Sequence, residues 1–229
     1  MDPVLLADWL VSVSPPGTAA ATAPIAALPA FDAAEEAAIH GAVPCRRDEY
    51  RSGRACARRA LAHLGYPPGS LPADPRRLPA WPAGFLGSIS HGAGTCVAQA
   101  ARSDDFLGLG VDVEASDALG PHLVATIARP DEWPSIMRGA ACGRVAAALC
   151  FSAKEAVYKA YFPSTAAYLD FHDVRVEVQW SRHTFTATLL PPDKPGLGGR
   201  RSWHGHFLVA ERSLATAVFV HRVQVPMLS

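Results

Sequence analysis

Apolar residues recur along this chain with two periods, one helical and one alternating, and the switches between them lay out its elements. Residues 33–64 read as helix: Ala57, Ala60, Leu61 and Leu64 form an apolar stripe, with Arg47, Arg51, Arg54 and Arg58 on another face. Gly41-Ala42-Val43-Pro44 divides that stretch in two, Gly65 stops it, and the proline-rich run 67–82 excludes regular helix. The second long helical pattern is 143–162, where Val145, Leu149, Val157 and Tyr161 are apolar and Pro163 predicts the end. Strands are predicted at 85–89, 95–101, 106–114, 174–180, 185–190, 204–209 and 215–223. Residues 90–94 read as a turn, 102–105 as a hairpin turn or domain junction, 116–134 as loop with a short helix, and 191–201 as a Gly/Pro turn region. The apolar opening 4–13 suits a strand or a short helix equally. Residues 14–30, rich in Pro, Ala, Gly and Thr, read as loop.

At 229 residues, 49% of them apolar, the chain can bury a proper core as one large domain or two small ones, and disorder throughout is excluded. Its 21 basic and 21 acidic residues balance, which argues against bulk nucleic-acid or membrane-surface binding. The charge is nonetheless uneven, with Arg46, Arg47, Arg51, Arg54, Arg58 and Arg59 crowded into one segment. No run approaches the roughly 20 apolar residues of a membrane span. Acids stand near the N-terminus where a secretory signal would carry Lys or Arg, and the five cysteines form no C-x-x-C pair. Both features predict a cytoplasmic protein with reduced thiols.

The chemistry concentrates in two blocks. In a strand, Asp112 and Glu114 project from the same face, on an apolar background that argues against a solvated edge. In the second long helix, Glu155 stands between Lys154 and Lys159. Glu155 and Lys159 also have the spacing of an ordinary helix-surface ion pair. Three carboxylates suit a hard cation and neighbouring lysines suit phosphate oxygens, which together point to phosphoryl-group chemistry. His204-x-His206 would place two imidazoles on one strand face, with no third ligand in sight.

Gly110-Val111-Asp112-Val113-Glu114, followed by FSAKEAVYKA from Phe151, resembles the two signature motifs of the 4'-phosphopantetheinyl transferases. The upstream blocks RRDEYRSGRACARRALAHLG and WPAGFLGSISHGAG are similar to the Sfp-type, enterobactin-synthase-component-D-like branch, giving four blocks in order between Arg46 and Pro163. The resemblance implies an α+β fold of two similar subdomains, 1–105 and 106–229, related by a pseudo-twofold with the active site in the cleft between them. It implies transfer of phosphopantetheine from coenzyme A to a serine of apo acyl or peptidyl carrier proteins, and the chain's length suits a monomer. Asp112, Glu114 and Glu155 would hold Mg²⁺, with Mn²⁺ the other candidate. Glu155 would be general base, directly or through a metal-bound water. Lys159 would meet a CoA phosphate or the leaving group, and Lys154 would orient Glu155 or the serine. Ser90 and His91 would sit in a turn whose free N–H groups and imidazole receive the 3'-phosphate, with Arg46 and Arg54 on the CoA phosphates. Relatives carry a lysine where this chain has Ala73, so Arg76 or Arg77 is expected to take over there. Residues 162–171 are expected to face the carrier, and Tyr158 and Trp81 to pack in the core. The competing readings are a non-catalytic CoA-binding module and a Mg²⁺-dependent phosphohydrolase.

Overall fold

The computed structural model describes residues 1–222; the last residues of the 215–223 strand and of the 106–229 subdomain lie outside them. Helix α1 (Pro3–Val13) resolves the ambiguous opening: Asp2 caps it through Val4 N–H, and Pro3 supplies the preset φ of a first helical position. Strand β1 (Thr18–Pro24) falls where loop was predicted. Four of its seven residues, TAAATAP, are alanines with little strand preference; antiparallel pairing with β3 forms it instead. Next come α2 (Ala33–Ala37), α3 (Pro44–His63), and the hairpin β2 (Phe85–Gly92) and β3 (Thr95–Arg102). Strand β4 (Phe106–Ala115) leads through the short helices α4 (Val124–Ile127) and α5 (Trp133–Met137) to the long α6 (Gly143–Thr165). Strands β5 (Val174–Gln179), β6 (Thr184–Leu189), β7 (Ser202–Val209) and β8 (Ser213–His221) follow. Pro163 does not end α6 as expected: it lies in the last turn, and the helix stops at Ala166, whose φ of 54° is left-handed.

The strands form two antiparallel sheets, ordered β1-β3-β2 and β4-β8-β7-β6-β5. Each carries one long helix. Cys56, Ala57, Ala60 and Leu61 of α3 pack on Cys96, Ala98 and Ala100 of the small sheet. Leu149, Ala153, Ala156, Val157 and Ala160 of α6 pack on Phe185, Phe207, Leu214 and Val218 of the large one. A third cluster joins the sheets, with Leu6 and Leu10 of α1 against Val97, Val111, Val113, Ala215 and Ala217. The fold is thus α+β, and β2 and β4 lie side by side where the two sheets meet: a Cβ on Gly92 would stand 2.0 Å from Val113 O.

Candidate active site

Strand alternation divides β4 between two jobs. Val111 and Val113 enter the core beneath α1, while Gly108, Gly110, Asp112 and Glu114 share the face toward α6. The two glycines let the helix settle directly on the strand. A Cβ on Gly110 would stand 1.7 Å from Ala156 O, and one on Gly108 2.2 Å from Ala160 O. Since Ala156 and Ala160 are one helical turn apart, this seam carries Glu155 and Lys159 over Asp112 and Glu114.

There Lys159 Nζ lies 2.5 Å from Asp112 Oδ1 and 3.0 Å from Ser90 Oγ, and Ser90 donates to the same Oδ1 at 2.8 Å. Asp112 is 2% exposed, and its Oδ2 is buried with no hydrogen-bond partner. Burial, reinforced by Asp112 and Glu155 and opposed by Lys159, pushes the Glu114 carboxyl up to about 7. Burial likewise raises Glu155, with Lys159 pulling the other way and Asp112 adding to the rise. An unpartnered, buried carboxylate oxygen beside two more carboxylates is a donor set that fits a hard divalent cation. Among the described residues, however, no three His, Cys, Asp or Glu groups stand close enough to hold one as they are. Lys159 is the cation now beside Asp112, so the triad closes only with side-chain movement.

Ser90 and His91 are not in a turn. β2 runs through Gly92, and the turn is Ala93-Gly94, both at positive φ, as a two-residue hairpin requires. Ser90 and His91 are thus strand residues, with His91 opposite Cys96, and the expectation that they sit in the turn is corrected. The side chains diverge as alternation dictates: Ser90 turns in to Asp112, while His91 meets α3. Arg46 Nη1 donates to His91 Nε2 at 2.6 Å, which requires the tautomer with the proton on Nδ1. Glu49 stands 3.7 Å from that Nδ1 and 3.1 Å from Arg46 Nη1. Burial lowers the His91 pKa, Glu49 and Asp112 act to raise it, and Arg46 and Lys159 act to lower it.

Arg54 is 5% exposed, with Nε on Leu71 O at 2.6 Å and its guanidinium over the Tyr50 ring, so only a sliver of its fork remains for a phosphate. Arg76 lines a cleft of about 520 Å³ whose walls include Trp81, Ser88, Tyr158, Lys159 and Phe162. It reaches across this cleft to Pro163 O at 3.5 Å and is held by Asp74. Trp81 and Tyr158 thus do both: each packs against a core cluster and lines the cleft.

Lys154 requires a correction. It is 3% exposed, and its three donors go to Ile127 O, Phe171 O and Glu132 Oε1, leaving none to orient Glu155 or a serine. Its partner Glu132 was missed by sequence reasoning. Glu132 also accepts from Arg129 N and Val176 N, tying the segment before α5 to β5 and α6. An isolated Glu in a loop-like stretch gives no periodic signal; the buried Lys154 that needs a counter-charge was the available clue. His204 and His206 gain no third metal ligand among the described residues.

The family model described as the 4'-phosphopantetheinyl transferase N-terminal domain matches residues 34–101, and that of the 4'-phosphopantetheinyl transferase superfamily matches 108–218. The chain is 40% identical over 194 residues to 4'-phosphopantetheinyl transferase Svp of Streptomyces mobaraensis, covering 81% of this chain and 77% of that protein. It is 33% identical over 196 residues to 4'-phosphopantetheinyl transferase Npt of Nocardia iowensis, covering 81% and 87%. Similarity to enterobactin synthase component D of Salmonella typhi is 37% over 119 residues, covering 51% and 48%.

Proposed function

This chain belongs to the 4'-phosphopantetheinyl transferase superfamily, and on that footing we propose that it moves phosphopantetheine from coenzyme A to a carrier-protein serine at the Asp112–Glu155–Lys159 site. The observation that carries the reading is Lys159, on the wall of the cleft, paired to one oxygen of Asp112 while the other oxygen is buried and unpartnered. The halves proposed here, 1–105 and 106–229, divide at the turn joining β3 to β4.

Coenzyme A would occupy the cleft. Arg46 and His91 offer a forked and a single donor to its phosphates, with Arg76 a further cation on the cleft wall. A divalent cation held by Asp112, Glu114 and Glu155 would draw charge from the pyrophosphate as a Lewis acid. Glu155, directly or through a metal-bound water, would accept the proton of the incoming serine hydroxyl. The serine Oγ–P bond forms as the bond from that phosphorus to the bridging oxygen breaks. Adenosine 3',5'-bisphosphate departs with the bridging oxygen, and Lys159 meets the charge that develops. The exposed Tyr168, edge-on to Tyr158, which itself stacks on Phe162, lies in the 162–171 segment that would receive the carrier. Among the described residues no helix is long and apolar enough to cross a membrane. A monomer working in the cytoplasm completes the reading.

Chromatography of adenosine 3',5'-bisphosphate from CoA and Mg²⁺, with and without an apo carrier, tests this reading. Release only with the carrier is expected. Release without it would indicate hydrolysis, and no release in either case would indicate a binding module.

A further inference from the structure

Thr216 on β8 stands directly opposite Asp112 on β4 in the strand pairing, and cross-strand partners share a face of the sheet. Asp112 turns its carboxylate toward Lys159 of α6; Thr216 turns its hydroxyl toward the same helix, about two turns earlier. Its Oγ1 donates to Ser152 O at 2.9 Å, and Ser152 Oγ lies 2.9 Å from the same Oγ1. The donor count closes in one way only: Thr216 gives its proton to the helix carbonyl, and Ser152 gives its own to Thr216 Oγ1. Both residues are wholly buried.

The surroundings make this pair unusual. The interface between α6 and the large sheet is otherwise apolar, built from Leu149, Ala153, Ala156, Val157, Leu214 and Val218. The seam itself is small residues, with Gly108 and Gly110 under Ala156 and Ala160. Apolar contact sets how closely the helix approaches but has no direction, and a smooth small-residue seam does little to resist sliding along the helix axis. A slide of one residue would move Glu155 and Lys159 by about 1.5 Å. Two hydroxyls paired through a fixed carbonyl do resist it, because sliding would leave both buried and unpaired. Ser152, Glu155 and Lys159 follow one another at intervals of three and four residues, so locking the first fixes the other two.

We propose that Thr216 and Ser152 are positioning residues that set Glu155 and Lys159 in register with Asp112 and Glu114. The proposal rests on the reading of those four residues as the transfer site. Neither hydroxyl touches substrate or the reacting atoms.

The experiment compares Thr216→Val, Ser152→Ala, their double variant and Thr216→Ser with the wild-type enzyme. It measures kcat and the KM for CoA with an apo carrier protein, and Mn²⁺ binding in the presence of CoA by electron paramagnetic resonance. Thr216→Val, which keeps the side-chain shape, and Ser152→Ala should each lower kcat about 10- to 100-fold, the cost of a misplacement near 1 Å. Both should weaken Mn²⁺ binding while leaving the KM for CoA within about twofold. The double variant should be no worse than the poorer single, since the two act as one unit, and Thr216→Ser should restore kcat to within about threefold of wild type. Should Thr216→Val not fold, Ser152→Ala and Thr216→Ser decide the matter by the same criteria. The proposal is overturned if kcat and Mn²⁺ binding stay within about twofold of wild type while the unfolding temperature falls, or if Thr216→Ser is as poor as Thr216→Val or Ser152→Ala. Wild-type protein that neither transfers nor binds Mn²⁺ would overturn the reading of the site as well.

Discussion

Lys159 bridges the helix and the strand of the site, its ammonium 2.5 Å from Asp112 Oδ1, while the other oxygen of Asp112 is buried without a partner. One carboxylate thus has one oxygen committed to a cation of the protein and one left for a ligand. Replacing Lys159 with methionine keeps most of the stem and removes the charge. Transfer should fall by about 100-fold or more, as when a charge-stabilising donor is deleted. Steady-state kinetics with CoA and an apo carrier checks this, and a loss under fivefold would remove Lys159 from the chemistry.

Gly110 tests how the site is assembled. A methyl group there would meet the Ala156 carbonyl at 1.7 Å, backbone against backbone, and no side-chain rotation relieves it. Gly110→Ala should cost at least the ~1–3 kcal/mol of ordinary overpacking, read as a lower urea midpoint. It should also abolish transfer by lifting α6 from β4.

The raised carboxyl of Glu114 gives the protein a pH dependence of definite sign. Its folded value is about 7 against an ordinary 4.5, so the native state holds this proton more tightly than the unfolded chain does. The stability this contributes is complete below pH ~4.5 and is lost as pH rises through ~7. A divalent cation at the proposed site would need the ionised form, so its binding would release a proton and strengthen as pH rises. In thermal melts, Mg²⁺ with CoA should raise the unfolding temperature more at pH 8 than at pH 5.5. An equal or smaller shift at pH 8 would contradict this.

Lys154 and Glu132 form a buried ion pair, 2% and 0% exposed at their side chains. Lys154→Met should destabilise by about 3–5 kcal/mol, because it leaves Glu132 charged and buried beside Cys150. Urea unfolding checks this. Addition of Glu132→Gln to that variant should restore part of the loss by removing the stranded charge.

What was legible in the sequence follows from which residues announce themselves locally. The period of Ala57, Ala60 and Leu61 gave α3, and the alternation through Val111 and Val113 gave β4 with its two acids on one face. β1 was hidden because its alanines carry no strand preference and only pairing with β3 makes it a strand. Ser90 and His91 were assigned to a turn because the glycines around them look like turn residues. Gly92 is in fact there for the close approach of β4, and the chain reverses directly after it, at Ala93-Gly94. Lys154 is hard to place from sequence for a similar reason. Adjacent motif lysines look alike in sequence, and only the tertiary partners Glu132, Ile127 and Phe171 separate the structural one from Lys159. Thr216 carries no motif at all, and its place opposite Asp112 depends on strand order.

The most direct test of the account is the intact mass of an apo carrier protein after incubation with this enzyme, CoA and Mg²⁺. Parallel samples contain EDTA, or Glu155→Ala in place of the wild-type enzyme. The account predicts a gain of one phosphopantetheine with the wild-type enzyme and none in either parallel sample. An unchanged carrier mass across several carriers, with CoA still bound to the protein, would contradict it.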